Sequence, residues 1–166
     1  TGSPRMSKLI CKDIELDTAP AAIDRANHHG IACGVFLMAG FPDETREDLL
    51  ETYDFMKRIK PAEIVLNILD PMPGSEQFER VRELGLIDEP IDFTRFPVWP
   101  DAHFVKDIEP ADFNELIEEI SAYVFRYNRS RPTLIRRARP EVIQLLRTDR
   151  KVLVQKAFRF IKRRLS

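Results

Sequence analysis

Two cysteines and three histidines are the only thiols and imidazoles in this sequence of 166 residues, and their placement limits the chemistry at once. Cys11 and Cys33 stand 22 positions apart with no histidine beside either. They can build neither a four-thiolate metal site nor a disulfide scaffold, and they read as small buried residues of a reduced compartment. No Gly-x-Ser-x-Gly elbow is present, so a nucleophilic triad is not indicated. His28 and His29 precede Gly30 at the end of a predicted helix, where a cation meets the carbonyl end of the dipole. His103 stands alone, and Gly40 belongs to no Gly-x-Gly-x-x-Gly fingerprint. What remains is positional. Two Gly- and Pro-rich loops, 39–43 and 70–74, each follow an apolar run. In α/β folds, ligands sit beyond the carboxyl ends of the strands, where such loops converge. Gly40 allows close backbone approach to a ligand and Pro42 stiffens the exit; the alternative is a pair of ordinary turns.

The elements that would position these loops follow from periodicity. Ser3 caps and Pro4 opens a helix over about 4–12, with Met6, Leu9 and Ile10 on one face. Asp17-Thr18 is expected to cap a second helix, which Gly30 ends. The continuous apolar run 31–38 predicts a strand buried on both faces, as in a parallel sheet. A helix follows over about 44–59, with Leu49, Leu50, Tyr53, Met56 and Ile59 inward; residues 63–69 form a second strand and 75–84 a further helix. Strands alternating with helices of this length indicate an α/β fold built of βα units. From Gly85 to Ile108 periodicity is lost among prolines, Trp99 and several phenylalanines, which predicts an irregular connecting segment. A helix over about 109–127 resumes the pattern. Pro132 and Pro140 sit at first-turn positions of two more helices, and Asp149 is placed to cap a last one through Arg164. That last helix would be basic and amphipathic, with Val154, Phe158, Ile161 and Leu165 available for packing.

The formal net charge of −1 hides an asymmetry. Residues 1–125 carry 12 Lys and Arg against 25 Asp and Glu, whereas residues 126–166 carry 14 against 2. Such a tail either docks on an acidic body or seeks an anionic partner, RNA or a membrane surface. No run approaches the ~20 apolar residues of a membrane span and no signal segment opens the chain, so a cytoplasmic setting is expected. The opening Thr1-Gly2-Ser3-Pro4 has no initiating Met and runs straight into a helix start, which suggests a segment of a longer protein.

Three segments, read together, resemble the radical S-adenosylmethionine superfamily, in the C-terminal half of its partial (βα)6 TIM-like barrel. The first is Thr1 to Met6 with Lys12, similar to the small-residue turn, helix and trailing basic residue after the fourth strand. The second is Gly34 to Thr45, similar to the fifth strand and its Gly-x-Pro-x-Glu-Thr exit. The third is Asn67 to Glu76, similar to the sixth strand and its Pro-x-Pro-Gly-Thr/Ser loop. Trp99, Phe125-Arg126-Tyr127 and Arg131-Pro132 resemble the C-terminal extension of the subgroup with an upstream cobalamin-binding domain, which includes anaerobic Mg-protoporphyrin monomethyl ester cyclases and methyltransferases. The resemblance divides the chain into a barrel half over 1–84, a connecting segment over 85–108 and a basic helical extension over 109–166.

The resemblance implies an S-adenosylmethionine site. Lys12 would offer its ammonium to the methionyl carboxylate, or be a surface lysine. Ser3 would lie beside the methionyl or ribose end, or only cap its helix. Met38 would wall the adenine, or pack in the core, with Gly40 leaving room beside it. Leu69, Asp70 and Pro71 would bring backbone groups to the adenine edge. The family's Cys-x-x-x-Cys-x-x-Cys motif, which holds its [4Fe–4S] cluster, is absent, and thiolates are needed to hold one. The implied reading is a parent enzyme that cleaves S-adenosylmethionine reductively, possesses the cluster elsewhere and in its subgroup uses cobalamin, while this chain alone is inactive. Its expected partners are the N-terminal half of its own parent chain, an unidentified small-molecule substrate, and a second copy through an exposed strand edge. The rival is a non-catalytic α/β interaction module whose basic helical tail binds RNA or an anionic membrane.

Overall fold

The computed structural model describes residues 1–12, 14–87 and 103–148, the side chains of 145–148 excepted. In chain order its elements are α1 (Pro4–Leu9), a 3₁₀ turn (Leu16–Thr18), α2 (Ala19–His28), β1 (Gly34–Ala39), α3 (Arg46–Arg58), β2 (Glu63–Ile68), α4 (Glu76–Glu83), α5 (Pro110–Arg129) and α6 (Arg131–Thr148). The class is α/β. Among the described residues the sheet has two strands, paired in parallel with Gly34 opposite Glu63 and Ala39 opposite Ile68.

Both strands point their carboxyl ends the same way because α3 carries the chain back between them. Thr45 starts α3 with a capping box: it accepts from the Asp48 N–H while the Asp48 carboxylate accepts from the Thr45 N–H. Leu49, Tyr53 and Met56 of α3 and Leu116 and Ile120 of α5 bury Leu37, Ala39 and Ile64 on one face of the sheet. The other face is not covered in the same way. Phe36 is 72% exposed, which corrects the expectation of a strand buried on both sides: the helical layer lies on one face, and β1 alternates accordingly.

Several local expectations are also corrected. Residues 31–33 lie outside β1, and Ile31 is exposed. Thr18 does not cap α2 with its side chain; its hydroxyl donates to the Glu15 carbonyl (2.8 Å) inside the 3₁₀ turn. Cys11 is exposed and Cys33 half-buried. Cys11 terminates α1 in the left-handed region (φ 54°), the position at which a glycine is usual, and the Lys12 N–H closes the turn on the Ser7 carbonyl (2.8 Å). A terminator belongs on the surface. Pro140 starts no helix of its own but lies inside α6. A proline there removes one helical hydrogen bond, and the turn that leads into it is held to the body by two arginines. Arg137 donates to the Ala62 carbonyl (3.4 Å) and Arg139 to the Asn27 carbonyl (2.8 Å). Trp99, the prolines near it, the Asp149 cap and the last basic helix lie outside the described residues.

Candidate functional site

The carboxyl end of β1 is shaped by Gly40 and Glu44. Gly40 turns the chain at φ 87°, and a Cβ there would stand 3.1 Å from Ile68 Cγ2 and 3.6 Å from the Leu69 nitrogen. The left-handed φ favours glycine here, and a Cβ would also press on the Ile68 side chain. The Leu69 N–H reaches back to the Ala39 carbonyl (2.8 Å), so the exits are tied by a hydrogen bond beyond the last sheet pair. Glu44 is fully buried beneath this turn. Its Oε2 accepts from the Gly40 N–H (2.6 Å) and the Phe41 N–H (3.3 Å), while its Oε1 has no hydrogen-bond partner. Burial pushes the Glu44 carboxyl up to about 7, although the two backbone N–H groups pull it down.

Next to it lies a polar network centred on Asp48, itself buried. Asp48 accepts from the Ser3 hydroxyl (2.5 Å), the Thr45 hydroxyl (2.8 Å) and the Arg5 guanidinium. Burial alone would raise this carboxyl; the bonds from Arg5, Ser3 and Thr45 outweigh it and hold it at about 2. Asp43 lies far below the ordinary carboxylate range because Arg80 pairs with it through two N–H groups (2.8 Å each), with Lys106 adding a second cation at 2.9 Å. The loop after β1 is therefore fixed by α1 through Arg5 and by α4 through Arg80.

The residues singled out from sequence divide into three groups. Lys12 and Met38 line one cleft of about 400 Å³, together with Ile14, Phe36, Leu37 and Asn67. Met38 is half-buried and pairs in register with Asn67, so it faces the cleft as well as the sheet. Gly40, Leu69, Asp70 and Pro71 sit at the strand exits, and Asp70 carries a second buried carboxyl oxygen, Oδ1, without a partner. Ser3 is fully buried, and its hydroxyl oxygen accepts weakly from the Met6 N–H (3.4 Å) while donating to Asp48. In the sequence Glu44 stood only as the acid of the Gly-x-Pro-x-Glu-Thr exit, and Asp48 was not singled out. The Thr45-x-x-Asp48 spacing of a capping box was the available signal.

Among the described residues no group of three His, Cys, Asp or Glu side chains could hold a metal ion. Nor is any described helix long and apolar enough to cross a membrane. No protein-family model matches the chain, and no solved structure matches it. Over 80 residues it is 35% identical to an uncharacterised methyltransferase of Pyrococcus horikoshii, a stretch that covers 48% of this chain and 17% of that protein. It is 34% identical over 80 residues to an uncharacterised protein of Methanocaldococcus jannaschii, covering 45% of this chain and 18% of the relative. The matched stretch thus spans less than a fifth of either relative. Over about half its length, this α/β chain is similar to a protein described as a methyltransferase.

Proposed function

We propose that this chain is the C-terminal part of a radical S-adenosylmethionine enzyme of the methyltransferase or oxidoreductase type. It forms the second half of a partial (βα)6 barrel and supplies one side of the S-adenosylmethionine site. The observation that carries the reading is the meeting of two parallel strand exits at Gly40 and Leu69, beside a cleft that holds Lys12 and Met38. The methyltransferase description of one relative agrees with a sulfonium-methyl cofactor.

The residues present fit S-adenosylmethionine. The Lys12 ammonium offers a counter-ion for a carboxylate, and Met38 and Phe36 an apolar wall. They do not fit the cluster: the two cysteines lie on a helix terminus and before a strand, and no third thiol exists in the chain. The cluster, and cobalamin where it is used, belong on this reading to other parts of the parent protein. When bound together, cofactor and cluster supply reductive cleavage of S-adenosylmethionine; this chain's residues bind and orient the cofactor and close the apolar side of the cleft.

Equilibrium dialysis of the full-length protein against labelled S-adenosylmethionine tests the reading. Lys12→Ala and Met38→Ala are each expected to weaken binding by about tenfold, the loss of one charge-assisted contact or one apolar wall. Lys60→Ala, on an exposed position between α3 and β2, is expected to leave it unchanged. Equal affinity in all four proteins would remove this cleft from the cofactor site.

A further inference from the structure

α6 presents an apolar stripe away from the body. Thr133, Arg136, Pro140 and Ile143 recur at helical spacing and turn inward: Thr133 is fully buried and the other three are half-buried. Ile143 Cδ1 lies 2.6 Å from where a Gly30 Cβ would be, so this side of the helix is seated on the turn after α2. Leu134, Ile135, Ala138 and Val142 recur at the same spacing on the opposite side, and all four are exposed, Ile135 by 68%. A helix that only docked on the body would carry polar residues there. Phe125, near the end of α5, is exposed as well, with the Arg129 guanidinium 5.0 Å from its ring centre.

Charge limits what can cover this stripe. Residues 126–140 hold six arginines and no Asp or Glu. Only Arg137 among them is in an ion pair among the described residues, with Glu63 at 3.1 Å. Residues 150–166 add seven Lys and Arg, again with no Asp or Glu. If that segment folded back over α6, like charge would gather on like. An anionic occupant is favoured instead. The contact is also aliphatic: Leu, Ile and Val offer no ring on which a nucleic-acid base could stack, whereas they bury readily among acyl chains.

We propose that the outer face of α6 adsorbs to an anionic lipid surface, its aliphatic stripe at the boundary of headgroups and acyl chains and its flanking arginines on the lipid phosphates. α6 separates this face from the acidic body, to which Arg137 and Arg139 fasten it. The same surface repels the excess of carboxylates in residues 1–125, which holds the body on the far side. The inference uses no residue of the cofactor cleft and is independent of the cofactor reading.

Co-sedimentation of the full-length protein with vesicles tests it. One set is phosphatidylcholine alone; the other is two parts phosphatidylcholine to one part phosphatidylglycerol. Binding to the anionic set is expected to be at least about tenfold stronger, and to weaken in molar salt. Ile135→Asn combined with Val142→Asn changes two exposed positions and is expected to weaken that binding by about tenfold, with an unchanged thermal melt. Arg131→Glu is expected to weaken it by at least about fivefold, whereas Lys8→Glu, the same change of charge on α1, leaves it unaltered. Absence of sedimentation with the anionic vesicles overturns the proposal. So does wild-type binding by the double asparagine variant, which would leave charge alone at work, or an equal loss in Lys8→Glu. Binding of a single-stranded RNA without any binding of vesicles would assign the basic region to nucleic acid instead. Dialysis of the double asparagine variant against S-adenosylmethionine is expected to match the wild type, so loss of lipid binding and failure of the cofactor reading are told apart.

Discussion

Glu44 and Asp48 are neighbours on one turn and titrate in opposite directions. Asp48 is buried but receives bonds from Ser3, Arg5 and Thr45, so its charged form is the favoured one. Glu44 is buried with only two backbone donors on one oxygen, so its charge is costly; Asp48 adds repulsion and the Thr1 amino group a weak attraction. A carboxyl held at about 7, against its ordinary 4.5, keeps its proton in the folded chain while the unfolded chain has lost it. Stability is therefore expected to fall as pH rises from about 4.5 to about 7, by about 3 kcal/mol from this group. Glu44→Gln removes the titration while its amide oxygen still accepts from Gly40 and Phe41, so the variant should lose that slope in urea melts between pH 5 and pH 8. The same slope in both proteins would show that Glu44 is not the titrating group. The Thr45-x-x-Asp48 spacing announces a capping box, but the burial of both carboxyls was not legible in the sequence. The bonds that hold Asp48 come from Ser3 and Arg5, more than 40 positions away, which no local pattern records.

At the scale of elements, β2 is closed on one side by an imitation of a strand. Asn128, near the end of α5, donates through Nδ2 to the Ile64 carbonyl (2.7 Å) and accepts through Oδ1 from the Ile64 N–H (3.0 Å). One residue earlier, the Tyr127 hydroxyl donates to the Pro61 carbonyl (2.7 Å), where the chain enters β2. These bonds set α5 in register with the sheet, and through Phe113 they set it against the strand exits. Asn128→Ala leaves both Ile64 backbone groups without this partner and is expected to cost about 2 kcal/mol in urea denaturation. Asn128→Asp keeps the acceptor but loses the donor, and should destabilise as well. A change below ~0.5 kcal/mol for the alanine variant would mean that water replaces the amide freely. Most helices and both strands were legible because their apolar spacing is regular: α3 and α5 lie within two residues of their expected bounds. The single-faced burial of β1 was not, because an uninterrupted apolar run contains no sign of which face a helical layer will cover. Pro140 misled for a related reason: a first-turn proline and an interior one look alike when the neighbours that hold the helix together are distant in sequence.

For the molecule as a whole, the charge asymmetry finds a partial account in α6. Arg137 contacts Glu63 as well as the Ala62 carbonyl, and Arg136 and Arg139 reach Tyr127 and the Asn27 carbonyl. Part of the basic region thus lies against the acidic body, with Leu134, Ile135 and Val142 exposed on the helix. The sheet has its helical layer on one face, while Phe36 stays exposed on the other and Met38 lines the cleft. On the proposed radical S-adenosylmethionine reading, this open face would meet the other half of the barrel. The most direct measurement is the iron and sulfide content of the full-length protein produced without oxygen, with its ultraviolet–visible spectrum before and after dithionite. The radical S-adenosylmethionine reading predicts about four irons per chain and a thiolate charge-transfer band near roughly 400 nm that bleaches on reduction. A colourless, iron-free protein, still so after reconstitution with iron and sulfide, would contradict it.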